Sequence, residues 1–180
     1  MRIFIIAILL WCSPCLYAQD RPTFEQAWQA AQNGEPNGYF LLGFFYYQGE
    51  GITQNFTEAI KWFKKAANNG LSNSYGFLGA CYITQKNYAE AFKWMKKSAE
   101  SNDPAAYGSL GSMYLYGKGT SKNPNEAFKW TSKAVENGDI ASNTGLGIMY
   151  LNGFGTERNE QKAFECFEKT ASAGDPVACS

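Results

Sequence analysis

Apolar and polar residues recur along this chain in paired blocks with a helical period. Leu42, Leu78, Leu110 and Leu146 are each followed by a glycine and, four positions after the leucine, by Tyr46, Tyr82, Tyr114 and Tyr150. Residues four apart share one face of a helix, so each Leu-Gly-x-x-Tyr segment predicts a helix with one apolar side. A second block follows each time: Ala59-Ile60-Lys61-Trp62, Ala91-Phe92-Lys93-Trp94, Ala127-Phe128-Lys129-Trp130 and Ala163-Phe164-Glu165-Cys166. Small pairs come two turns later, Ala66-Ala67, Ser98-Ala99, Ala134-Val135 and Thr170-Ala171, and predict a second helix in every block. Gly70, Gly138 and Gly174 then stand where a glycine just beyond a helix is expected, with Asn102 in the second unit.

The Leu-Gly pairs fall at 42, 78, 110 and 146, in steps of 36, 32 and 36 residues. A period of this size marks a stacked supersecondary unit, and the pattern predicts an all-α solenoid of antiparallel helix pairs. Glycine inside a helix costs roughly 1 kcal/mol relative to alanine, so its return at one place in every first helix predicts close approach by a neighbouring helix. The second unit is shorter, with nine positions from Tyr82 to Ala91 against thirteen in the other three. Upstream, "EQAWQAAQNG" from Glu25 aligns with "KWFKKAANNG" from Lys61 at an offset of 36. The expected organisation is therefore a capping half-repeat over 19–36, repeats over 37–72, 73–104, 105–140 and 141–174, and the start of an incomplete fifth over 175–180. An open solenoid end exposes the face its next helix would cover. A partner, self-association or further chain are its alternative covers.

Residues 1–18 read as a cleavable secretory signal: Met1-Arg2, the apolar run Ile3 to Trp11, and a short stretch ending at Ala18. The run is short for a bilayer span, so the expectation is a periplasmic or secreted protein with no membrane anchor after cleavage. Removing Arg2 leaves 15 of the 16 basic residues against 16 acidic ones. Nucleic-acid binding calls for a basic excess that this chain lacks. The chain contains no histidine, which removes Ser-His-Asp and Cys-His nucleophile pairs and most zinc sites. Cleavage leaves Cys81, Cys166 and Cys179, enough for one intramolecular disulfide, with no metal-ligand spacing among them. No cofactor or metal is expected, and burial as a small apolar residue is the expected role of each.

Two further features have plain accounts. In "YLYGKGTSKN" from Tyr114, glycines flank a lysine as in a phosphate-binding loop, but Ser112 stands where the first glycine of that loop belongs and Gly119 where its hydroxyl residue belongs. The same glycine pair recurs around Glu50 and Phe154, so it reads as the elbow of a helical pair. Glu58–Lys61, Glu90–Lys93 and Glu126–Lys129 are three apart, the spacing of a solvated helix face rather than of a catalytic acid pair. The recurrent tryptophans read as packing between helices rather than as an aromatic cage.

The composite A-x-x-x-L-G-x-x-Y-x-x-G-x-G … A-x-x-W-x-x-K-A-A-x-x-G resembles the Sel-1-like repeat family, relatives of the tetratricopeptide repeats. The resemblance covers nearly all of the chain after residue 18, while the second unit, "NYAEAFKW", is similar to an ordinary tetratricopeptide unit. It implies a right-handed α-solenoid that binds other proteins without catalysis. Exported bacterial members imply periplasmic regulators, host-directed factors or immunity partners that block toxic effectors. The family's cysteine-rich branch pairs cysteines eight apart; here Ala171 stands eight before Cys179. That branch also implies an alternative, an enzyme acting on β-lactam or envelope substrates, although no S-x-x-K occurs. A third reading is an adaptor of the endoplasmic reticulum, with Asn55-Phe56-Thr57 as a glycosylation acceptor.

Helix geometry narrows where a protein partner would sit. With each Leu-Gly leucine at zero and about 100° per residue, positions −2, −1, +2 and +6 point away from the core. A concave binding face lined by the first helices is thus expected to use Phe40, Phe44, Gln48, Phe77, Ser112, Tyr116, Ile148 and Asn152. It is expected to be apolar toward the N-terminal end and more polar later, unless lateral packing between helices consumes the aromatics. For the export signal the expected outcome is direct: N-terminal sequencing of protein recovered from the exported fraction begins at Gln19. An exported product that still carries residues 1–18 would contradict it.

Overall fold

The computed structural model describes residues 22–174, so the expected signal segment, the incomplete fifth repeat and Cys179 lie outside the described residues. Within them the chain is all-α: α1 (Phe24–Gln32), α2 (Pro36–Gln48), α3 (Phe56–Asn68), α4 (Ser74–Thr84), α5 (Tyr88–Glu100), α6 (Tyr107–Tyr116), α7 (Pro124–Glu136), α8 (Ser142–Asn152) and α9 (Glu160–Gly174). A 3-10 turn, Pro104–Ala106, leads into α6. The pairs α2/α3, α4/α5, α6/α7 and α8/α9 form four hairpins stacked into a solenoid. Helix α1 lies against α2 and buries Ala27 and Ala31 with Leu42, flanked by Phe24, Trp28 and Phe45.

The turns explain the glycine pairs. Gly49, Gly117 and Gly153 end the first helices with φ of 73°, 70° and 70°, a left-handed conformation that glycine adopts without a Cβ penalty. The second glycine of a pair does more than turn. A Cβ on Gly119 or Gly155 would run into the backbone carbonyl of Tyr88 or Pro124, the first residue of the second helix in the preceding hairpin. Each of these elbows therefore rests on the repeat before it. In the short second unit the left-handed position is taken by Lys86, at φ 58°.

Every second helix then starts on an asparagine. The Oδ1 atoms of Asn55, Asn87, Asn123 and Asn159 accept from the backbone N–H of Glu58 (3.1 Å), Glu90 (3.3 Å), Glu126 (3.2 Å) and Lys162 (2.9 Å). Caps of this kind are worth about 1 kcal/mol each. Asn55 thus has a structural role apart from its place in an acceptor triplet. At the other ends Gly70, Asn102 and Gly138 take φ of 88°, 60° and 87°, and the following N–H of Leu71, Asp103 and Asp139 reaches back to the carbonyl of Ala66, Ser98 and Ala134. Gly174 differs from expectation: it is still helical as the last residue of α9.

The glycine of each Leu-Gly pair marks where the two helices of a hairpin touch. A Cβ on Gly43 would lie 2.6 Å from Phe63, on Gly79 2.7 Å from Met95 and on Gly147 2.6 Å from Phe167, and on Gly111 it would collide with Thr131. The facing residue comes 20 positions later in three hairpins and 16 later in the second, so the four-residue shortening is absorbed in the elbow and the contact is kept. Leu42, Leu78 and Leu110 beside these glycines are fully buried.

On the flank of the hairpins Tyr39, Tyr75 and Tyr107 lie against Trp62, Trp94 and Trp130, with ring centroids 6.1, 5.9 and 5.5 Å apart. Lys65, Lys97 and Lys133 extend over these rings at 4.3 to 5.5 Å, a cation–π arrangement on each of three hairpins. The tryptophans therefore pack helix to helix. Glu58–Lys61, Glu90–Lys93 and Glu126–Lys129 pair on the solvated face at 3.3, 2.5 and 3.5 Å.

Two helical glycines separate close approach from mere tolerance. Phe63 is fully buried and has nowhere to retreat, whereas a Cβ on Gly145 would meet Thr131 at 3.6 Å, ordinary van der Waals contact. Gly43→Ala is expected to lower stability in urea unfolding by about 1–3 kcal/mol through overpacking. Gly145→Ala leaves it unchanged or raises it by up to about 1 kcal/mol through helix propensity. Equal effects of the two changes would refute the account of close approach.

Candidate interaction groove

The residues turned away from the hairpin cores line a groove with two neighbouring depressions. The first, about 620 Å³, lies between α4 and the α5–α6 connection and is walled by Tyr47, Phe77, Ala80, Met95 and Pro104. The second, about 420 Å³, lies between α6 and α8, with Ser112, Tyr116, Lys118, Gly145 and Met149 on its walls. Ser109 borders both, so the two form one continuous surface along successive first helices.

The depressions occupy corresponding places one repeat apart. Gly76 and Gly108 stand two positions before their Leu-Gly leucines and leave room for an aspartate from the next connection: a Cβ there would come within 3.0 Å of Asp103 Oδ2 and 2.7 Å of Asp139 Oδ2. Asp103 accepts from Ser98 Oγ at 2.6 Å and from the Ala105 N–H at 3.1 Å, and Asp139 accepts from Ser142 Oγ at 2.6 Å. Each depression thus has an apolar wall and one oriented carboxylate. The second adds the exposed Tyr116 ring and the Lys118 ammonium, which lies 5.5 Å from the Tyr88 ring. These groups suit hydrogen bonding and apolar contact.

The expected binding residues divide by what they touch. Phe77, Ser112 and Tyr116 line the depressions. Gln48 and Asn152 are exposed at the ends of their helices, and Ile148 is half-buried on α8. Phe40 and Phe44 are half-buried as well, and their rings stand 5.5 and 5.7 Å from that of Phe77. Phe77 also stacks on the fully buried Phe63 at 5.1 Å and meets Tyr47 at 5.5 Å. This ring cluster joins α2, α3 and α4, so lateral packing takes up much of the aromatic surface that helix geometry alone points outward. Sequence reasoning missed the aspartates opposite Gly76 and Gly108. Their signal was present, since Asp103 and Asp139 each follow the residue that closes a second helix.

The two described cysteines are buried free thiols. Burial pushes the Cys81 thiol up to about 12, and burial also raises that of Cys166. Lys93, donating a hydrogen bond to its carboxylate, holds Glu90 below the usual glutamate value. A thiol titrating near 12 carries almost no thiolate at pH 8, the species that reacts. Cys81 in the folded protein is therefore expected to resist an aromatic disulfide reagent at pH 8 and to react fully once unfolded in guanidinium. Rapid labelling of native Cys81, read by peptide mass spectrometry, would contradict its burial.

Comparison with known proteins agrees with this architecture. The model of the Sel1 repeat family matches residues 36–71, 74–103, 104–139 and 140–175. Among solved structures, c5321, a protective antigen present in uropathogenic Escherichia coli strains, is 33% identical with a TM-score of 0.76, over 88% of this chain and 35% of its own. A Sel1 repeat protein from Oxalobacter formigenes is 30% identical with a TM-score of 0.72, over 86% of this chain and 65% of its own. The chitin synthase regulator SKT5 of Saccharomyces cerevisiae is 39% identical over 61 residues, 34% of this chain and 9% of that protein. The chain thus spans about a third of the E. coli antigen and under a tenth of the yeast regulator.

Proposed function

The chain belongs to the Sel1 repeat family, and from that premise we propose that it is a non-catalytic binding module that receives a segment of a protein partner along the groove of its first helices. The observation that carries this reading is the pair of depressions one repeat apart, each with an apolar wall and one oriented aspartate. An extended or helical segment with apolar side chains at matching intervals fills the walls, and its donor or basic groups meet Asp103 and Asp139. Exposed aromatic surface within a recess is the usual anchor of such contacts, and Tyr116, 54% exposed, supplies it here. Phe77 adds a half-buried apolar wall one repeat earlier.

The setting we propose is the cell envelope or the secreted space, on the strength of residues 1–18. The narrower form of the proposal is that the partner is a toxic effector which the groove blocks. A protein that acts by occupying a surface needs no reacting group.

Ser112 and Tyr116 are exposed, so changing them tests the groove without disturbing the core. The Ser112→Arg/Tyr116→Ala double variant is expected to keep the wild-type circular dichroism and melting temperature. It is expected to lose, by at least about tenfold in recovery, the partner that the wild type captures from its native host, the scale of losing one well-packed anchor. The same partner recovered equally by the variant would place binding elsewhere.

A further inference from the structure

We infer that the fourth hairpin carries a socket for an aromatic side chain bearing a hydrogen-bond donor, tyrosine or tryptophan, presented by a protein partner. The first three hairpins show what belongs there. Each fills the space beside the connection into its first helix with a tyrosine ring, backs it with a tryptophan and covers both with a lysine: Tyr39, Trp62 and Lys65; Tyr75, Trp94 and Lys97; Tyr107, Trp130 and Lys133. The fourth keeps the lysine as Lys169 but has Asn143 in place of the tyrosine and Cys166 in place of the tryptophan. Both rings of the layer are missing and the cation that covers them remains.

The space is open. A cavity of about 590 Å³ is bounded by Val135, Ile140, Asn143, Glu168, Lys169 and Ala173. Asn143 is only 4% exposed; its amide N–H donates to the Ile140 carbonyl at 3.1 Å, and its Oδ1 is buried without a hydrogen-bond partner. A buried acceptor left unpaired costs about 1–3 kcal/mol, and a donor brought in by a ligand recovers it. Ile140, 49% exposed, offers an apolar edge at the mouth. A phenol or indole entering there meets the apolar wall of Val135 and Ile140 and the Lys169 ammonium for its face, and a turn of the Asn143 amide brings the unpaired Oδ1 to its O–H or N–H. An aliphatic side chain satisfies only the first.

The inference rests on the reading of this solenoid as a protein-binding module, but the socket shares no lining residue with the groove. The test is titration of the full chain, without residues 1–18 where they are removed on export, with N-acetyl-tyrosinamide, N-acetyl-tryptophanamide and N-acetyl-phenylalaninamide, followed by backbone amide NMR. The expected result is saturable shifts at Ile140, Asn143 and Lys169 with the tyrosine and tryptophan probes. Binding of the phenylalanine probe is expected to be about tenfold weaker, the worth of one hydrogen bond. Asn143→Tyr/Cys166→Trp, which restores the rings of the other hairpins, should abolish the shifts, and Lys169→Met should weaken binding about two- to fivefold while the fold is kept. The Ser112→Arg/Tyr116→Ala variant should bind the probes as the wild type does, which separates failure of the socket from failure of the groove. Absence of saturable shifts, equal binding of the phenylalanine probe, or undiminished binding by the refilled variant would overturn the inference.

Discussion

The structure depends on a contact made four times, in which a glycine on the first helix of each hairpin lies against a side chain of the second with no room for a methyl group. Close-packed interiors tolerate neither a gap nor an excess atom, so this contact sets both the spacing and the register of each helix pair. The partner residue changes freely, from Phe63 to Met95 to Thr131 to Phe167, while the glycine stays. A thin first helix meets whatever bulk the second provides. The same constraint explains why a four-residue loss in the second unit is harmless: it falls in the elbow, which Lys86 turns in place of a glycine pair.

Once the hairpins are fixed in this way, the character of the groove follows from how neighbouring hairpins meet. Near the N-terminal end the surface is rich in phenylalanine, and Phe40, Phe44 and Phe77 spend much of their area on one another and on Phe63. Farther along, Ser109, Ser112 and Gly145 stand in the corresponding places and leave depressions. Each depression has a small residue on the helix and an aspartate on the connection. The carboxylates are positioned by Ser98 and Ser142, which makes them fixed acceptors rather than freely moving surface charges.

The last hairpin repeats the backbone of the others without repeating their flank. Its Leu146-Gly147 contact with Phe167 is kept, and so is the asparagine cap on α9. Yet Asn143 and Cys166 replace the ring pair that packs the outside of the other three. Repeat structures make such departures informative, because the chain itself supplies the reference against which a missing side chain is measured.

The sequence by itself determined the helices, their pairing, the elbows and the buried leucines, because all of these rest on short-range periodicity and on residues whose backbone preferences are local. The family followed from the same residues. It also placed Ser112, Tyr116, Gln48 and Asn152 on the outer face, where they are exposed. Tertiary structure decided which of the outward positions stay open. Phe40, Phe44 and Phe77 point from their own hairpin cores as helix geometry requires, and the neighbouring hairpin then covers much of them, a matter of the distance between helices that no single-helix projection contains. The aspartate in each depression, the elbow glycines resting on Tyr88 and Pro124, and the space left beside Asn143 arise in the same way. Each depends on residues about one repeat apart being brought together, and packing between hairpins alone does that.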